Sequence, residues 1–245
     1  MTLHNKLSHQ EMTFNNQMRA ICQPRPEDPR FYLTIMIKAG SLWEEPRLAG
    51  ISHFLEHMMF RGSKKHPSFL NLAQSFEIHG GHWNASTSAE ATCYTYQGHY
   101  QSLIPVIHQL GEMLQNPLLL DLERERKIIL RELEDETNEF NHSIDLSFHM
   151  SRLFWQNSPL SFPILGNLNS IKKITSEDLW AYRKSRYQPY NMVASVVGGD
   201  DSQPIFEALD QAFGSISQDL PPSSQKPFEI SPYQGPQTKW VRHSD

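Results

Sequence analysis

Five consecutive residues, His53-Phe54-Leu55-Glu56-His57, constrain this chain more than any others. They lie within residues 48–60 (LAGISHFLEHMMF), whose apolar spacing predicts a helix. Residues four apart on a helix share a face, so His53 and His57 present two imidazoles together. Glu56 stands beside that face. Neutral imidazole is a common metal ligand, and H-x-x-E-H is H-E-x-x-H read backwards, with the same geometry. A catalytic zinc takes three protein ligands and keeps one position open for water. Such a fold must therefore carry a third ligand to this helix from another element. The plain alternative is a pair of ordinary histidines on an amphipathic helix.

The best source of a third ligand is residues 121–139 (DLERERKIILRELEDETNE), which predict a strong helix. Glu125 and Glu132 are seven apart and share a face across two turns. Glu132 follows the apolar run Ile128-Ile129-Leu130 and so stands nearer a buried surface than Glu134, Asp135 or Glu136. For any one Glu of this helix, a solvated Glu/Arg pair is the ordinary reading.

Elsewhere strands and helices mix. Residues 17–22 and 31–38 (FYLTIMIK) are β-like, separated by the break PRPEDPR. Residues 68–79 predict a helix stopped by Gly80-Gly81. Residues 82–95, rich in Ser, Thr and aromatics, predict a hairpin turning near Ala89-Glu90. Helices are expected over 100–114, 143–154, 176–187 and 202–213, and an apolar strand over 192–197. Thr175 and Asp178 give a capping-box start for the helix at 176. Residues 217–236 are rich in Ser and Pro and read as a linker, and 238–242 as the start of another strand. The sum is one α/β domain of roughly 215 residues plus a tail.

Composition narrows the function classes. The 22 Lys+Arg against 27 Asp+Glu give a net charge of −5, which offers no electrostatic footprint for nucleic acid. Two Cys cannot build a disulfide framework or a Cys-rich zinc module. No run approaches the roughly 18 apolar residues of a membrane span. The first thirty residues lack an apolar leader and mix Glu11, Glu27 and Asp28 with their basic residues, so a cytoplasmic location is expected.

Several segments together carry a family resemblance. His53-Phe54-Leu55-Glu56-His57-Met58 with Phe60-Arg61-Gly62 resembles the zinc helix of the pitrilysin (insulinase) family of metallopeptidases, the inverzincins. Ala39-Gly40-Ser41 precedes it as in that family. Residues 80–90 (GGHWNASTSAE) look like the family's G-G-x-x-N-A-x-T-S-x-E strand. Residues 123–132 resemble the helix that supplies its third ligand. Ile164-Leu165-Gly166, Ile171, Tyr187 and Gly198-Gly199 continue the match in order to about residue 214.

The resemblance implies the N-terminal catalytic half of such an enzyme. Its fold would be α+β, two layers, with a mixed, mostly antiparallel sheet packed against helices. Residues 1–215 would form the zinc-binding peptidase domain, and 216–245 a linker and the start of a second, missing half. His53, His57 and Glu132 would bind one Zn²⁺ per chain. Glu56 would be the general base for attack of a zinc-bound water on peptides or unfolded segments, and Glu125 a supporting carboxylate. Asn84 and Ala85 would contact substrate from an edge strand. A second homologous half, in the same longer chain or as a separate subunit, would be needed for full activity. No nucleic acid or membrane partner is expected. Two other readings keep the fold: a non-catalytic structural or partner subunit, and a metal-binding domain without hydrolysis.

Overall fold

Buried and exposed residues alternate strictly along FYLTIMI, and that alternation sets the architecture. The structure, a computed structural model, describes residues 9–138, 143–155 and 158–217. Its main elements in chain order are β1 (Gln10–Thr13), β2 (Arg19–Gln23), β3 (Arg30–Ile37), α1 (Ile51–Met59), α2 (Phe69–Glu77), β4 (His82–Thr87), β5 (Thr92–His99), α3 (Leu103–Gln115), α4 (Leu122–Asp135), α5 (Leu146–Phe154), α6 (Leu168–Ile171), α7 (Ser176–Arg186), β6 (Met192–Val197) and α8 (Ser202–Phe213). The six strands form one sheet in the order β1-β2-β6-β3-β5-β4. Only β2 and β6 pair in parallel; the other neighbours are antiparallel.

Successive side chains of a strand point to opposite faces. Phe31, Leu33, Ile35 and Ile37 of β3 are buried, whereas Tyr32 and Met36 are exposed. In register, Ile35 stands between Tyr94 of β5 and Ala194 of β6, both buried. One face of the sheet is therefore covered, and α1, α3 and α8 pack on it. The expected α+β, two-layer, mostly antiparallel arrangement is what the chain adopts.

Helix α1 is seated by apolar and polar contacts alike. Ile51, Phe54, Leu55 and Met58 are fully buried, each burial contributing about 1.5–3 kcal/mol. The first N–H groups of a helix lack internal partners. Here the buried Glu44 carboxylate accepts from the backbone N–H of Gly50 at 2.7 Å and of Ser52 at 2.8 Å. Gly50 itself has φ +90°, and a Cβ there would lie 2.6 Å from the Leu165 carbonyl. Gly166, with φ +75°, lies in the same contact, against the Ala49 carbonyl. The Ser170 hydroxyl donates to the Ala49 carbonyl at 2.7 Å, across 121 residues of chain.

The differences from expectation are local. Strand β1 was not expected, because QEMT is too short for alternation to register. The metal helix starts at Ile51 rather than residue 48, since Pro46–Leu48 forms its own 3₁₀ turn before Gly50. Helix α4 ends at Asp135 rather than 139. The linker and strand expected beyond residue 217 lie outside the described residues.

Candidate metal centre

Helices α1 and α4 pack against each other and bring the candidate ligands together. His53 Nε2 and His57 Nε2 lie 3.2 Å apart. Glu132 Oε2 stands 3.8 Å from the first and 3.7 Å from the second. One donor atom from each of the three residues falls within 4.8 Å of the others, the one such grouping among the described residues. Two nitrogens each about 2.0–2.1 Å from a shared tetrahedral zinc would stand about 3.4 Å apart. The imidazole pair therefore already has ligand spacing. Glu132 is 40% exposed at its side chain and has room to close the remaining few tenths of an ångström.

The two rings differ in protonation. Burial, then the neighbouring His57, holds the His53 pKa down at about 3, so this ring is neutral with a lone pair to give. For His57, burial lowers the pKa, but Glu125, Glu132 and Glu56 together outweigh it and raise it. A ring so surrounded by carboxylates is a site that attracts a cation of any kind.

Glu125 does not join the three donors. It is buried, and its Oε2 lies 3.3 Å from His57 Nδ1, behind the ring. A ligating histidine commonly rests its second nitrogen on a carboxylate in this way. His53 has no such support, its Nδ1 being buried without a hydrogen-bond partner among the described residues.

Glu56 points from α1 toward β4. Its Oε2 accepts a hydrogen bond from the Thr87 hydroxyl at 2.5 Å. Burial raises the Glu56 pKa, with Thr87 and His57 opposing and Glu132 adding to the rise. A cavity of about 950 Å³ opens beside His53 and Glu56, lined also by Ala85, Thr87, Phe148 and His149. Strand β4 is the last of the sheet, so its outer edge is unpaired. Ala85 lies on the cavity side of that edge strand. Asn84 points to the opposite face, exposed, its amide oxygen accepting from the Ala85 N–H at 2.9 Å.

Two residues at this centre had no role assigned from sequence. Thr87 follows Trp83 and Ala85 in alternation, which marks the inner face of β4. Arg61 follows His57 by four residues, just past the end of α1.

Comparison with known proteins gives the family and the fold. The family described as Insulinase (Peptidase family M16) matches residues 19–167, and the one described as Peptidase M16 inactive domain matches residues 173–243. The chain is 31% identical over 203 residues to the mitochondrial-processing peptidase subunit beta of Caenorhabditis elegans, covering 80% of this chain and 44% of that protein. Identity to the Bos taurus subunit is 36% over 183 residues, covering 74% and 36%. The chain thus spans less than half the length of these relatives. In fold it is similar to a protease from Helicobacter pylori (TM-score 0.81, 23% identity, 91% of this chain and 54% of that one). It is also similar to the first half of the periplasmic protease PqqL from Escherichia coli (TM-score 0.78, 24% identity, 89% and 48%). A peptidase M16 inactive domain from Pseudomonas fluorescens shares the fold too (TM-score 0.80, 18% identity, 92% and 54%).

The cytoplasmic expectation is corrected by these relatives, which are named as mitochondrial proteins. A targeting leader is removed from the mature protein, so lack of one in a sequence carries no compartment. Among the described residues no helix is long and apolar enough to cross a membrane.

Proposed function

Because the chain belongs to the insulinase family of peptidases, we propose that it is a zinc-dependent metalloendopeptidase half whose ion is held by His53, His57 and Glu132. The observation that carries this reading is the convergence of those three donors beside a buried carboxylate, Glu56. Zinc bound there would supply Lewis-acid polarisation of a peptide carbonyl and acidify water to a pKa near 7.

The chain's own residues supply the rest. Glu56 takes the proton of the attacking water and hands it to the leaving amine. Its raised pKa makes it a stronger base than a solvated carboxylate. Thr87 holds one oxygen of Glu56, which leaves the other to face the reacting atoms. An extended peptide adding to the edge of β4 would gain main-chain hydrogen bonds with little demand on sequence. Ala85 keeps that edge clear of bulk on the cavity side, and Asn84 offers an amide at the strand's open face. The long relatives and the matched inactive-domain profile support a second homologous half as the partner that completes the enzyme.

Purified protein is expected to carry close to one zinc per chain by elemental analysis. Glu56→Gln is expected to keep that zinc and lose peptide cleavage in the assembled two-half enzyme. A correctly folded chain without affinity for zinc would remove the proposed centre; undiminished cleavage by the variant would remove Glu56 as base. The similarity to an inactive domain favours a second reading, a non-catalytic partner subunit. That reading predicts neither zinc nor sensitivity to Glu56.

A further inference from the structure

Arg61 lies just past the end of α1 and is buried. Its guanidinium reaches across to α4 with two arms. Nη1 stands 3.1 Å from Glu125 Oε1, and Nη2 donates to Asp121 Oδ2 at 3.1 Å. Its face lies against the Phe69 ring at 5.6 Å. Its Nε is buried without a partner among the described residues. Burying a guanidinium with an orphaned N–H is costly, so the position calls for a return elsewhere.

The return lies on the far side of Glu125. With Oε1 clamped by Arg61, the oxygen left to face His57 Nδ1 is Oε2, at 3.3 Å. An ionised carboxylate only accepts hydrogen bonds. In the neutral ring the proton of His57 then sits on Nδ1, which leaves the lone pair on Nε2, the atom turned toward His53 and Glu132. We propose that Arg61 is a positioning residue that, through Glu125, selects the metal-ready tautomer and ring orientation of His57. Since His53 has no comparable support, His57 is the pre-set ligand of the pair and His53 the one that adjusts. The inference rests on the metal-centre reading above for its consequence, though not for its geometry.

Two measurements test it. In the metal-free wild-type chain, ¹⁵N chemical shifts of the His57 ring at alkaline pH should show the proton on Nδ1; a predominant Nε2–H form overturns the proposal without any variant. Zinc affinity by chelator competition should weaken about 10- to 100-fold in Arg61→Gln, with Arg61→Lys recovering most of the loss because a cation again faces Oε1. Unchanged affinity in Arg61→Gln, or a Lys variant no better than Gln, overturns it. Should Arg61→Gln fail to fold, the Lys variant and the wild-type tautomer still decide. If the wild-type chain binds no zinc but shows the Nδ1–H ring, the metal reading fails while the positioning of His57 stands.

Discussion

Glu125 and Glu132 occupy one face of one helix, two turns apart, and do opposite things. Glu125 is 6% exposed at its side chain and is held by Arg61 and His57. Glu132 is 40% exposed, and its neighbours at 3.7–3.8 Å are the two imidazole nitrogens. The difference follows from where α4 crosses α1. Toward its N-terminus the helix meets the buried Arg61; one heptad later it meets the open side of the histidine pair. The same carboxylate is a buried strut in one place and a candidate donor in the other.

Substitutions can cross-test that division. The largest effect is expected from Glu125→Ala. It leaves Arg61 buried with only the exposed Asp121 as partner, at a cost of about 3–5 kcal/mol, to be read by denaturant unfolding of the metal-free chain. Glu132→Ala removes no buried partner and should change that stability by less than about 0.5 kcal/mol. Its effect belongs to the ion: zinc affinity is expected to fall more than about 100-fold, beyond the range typical of outer-shell changes. If Glu132→Ala unfolds the chain, or Glu125→Ala leaves its stability untouched, the two roles have been exchanged. Glu134→Gln is the smallest case. Glu134 is exposed, and neither stability nor affinity should move measurably; a loss of zinc equal to that of Glu132→Ala would mean that the helix presents a different carboxylate.

The sequence makes one half of this centre plain and hides the other. His53, Glu56 and His57 are legible because a helix's own period brings i and i+4 together. Five of the sheet's six strands are legible, β2, β3 and β6 from their β-like or apolar runs and the β4–β5 hairpin from its Ser, Thr and aromatic content. Periodicity alone leaves Glu125 and Glu132 equivalent, and family likeness favours the second. What separates them physically is burial, and burial is set by α1 docking. Thr87 and Arg61 escaped for the same reason. Their partners Glu56 and Glu125 are distant in sequence, at 31 residues for the Thr87–Glu56 pair, and no local spacing encodes such a meeting. Compartment is hidden altogether, since a leader leaves no trace in the packed fold.

The start of the metal helix has a kinetic consequence. The Ala49-Gly50 lead-in to its first turn packs against Leu165-Gly166 and is pinned by Ser170 from 121 residues away. Contacts of such separation form late, after long loops have closed. The histidine pair can exist on a nascent helix well before that, but its fixed orientation cannot. A ribosome must release the far side of the domain before α1 finds its seat, so an ion captured earlier would be held by a site still free to choose other ligands.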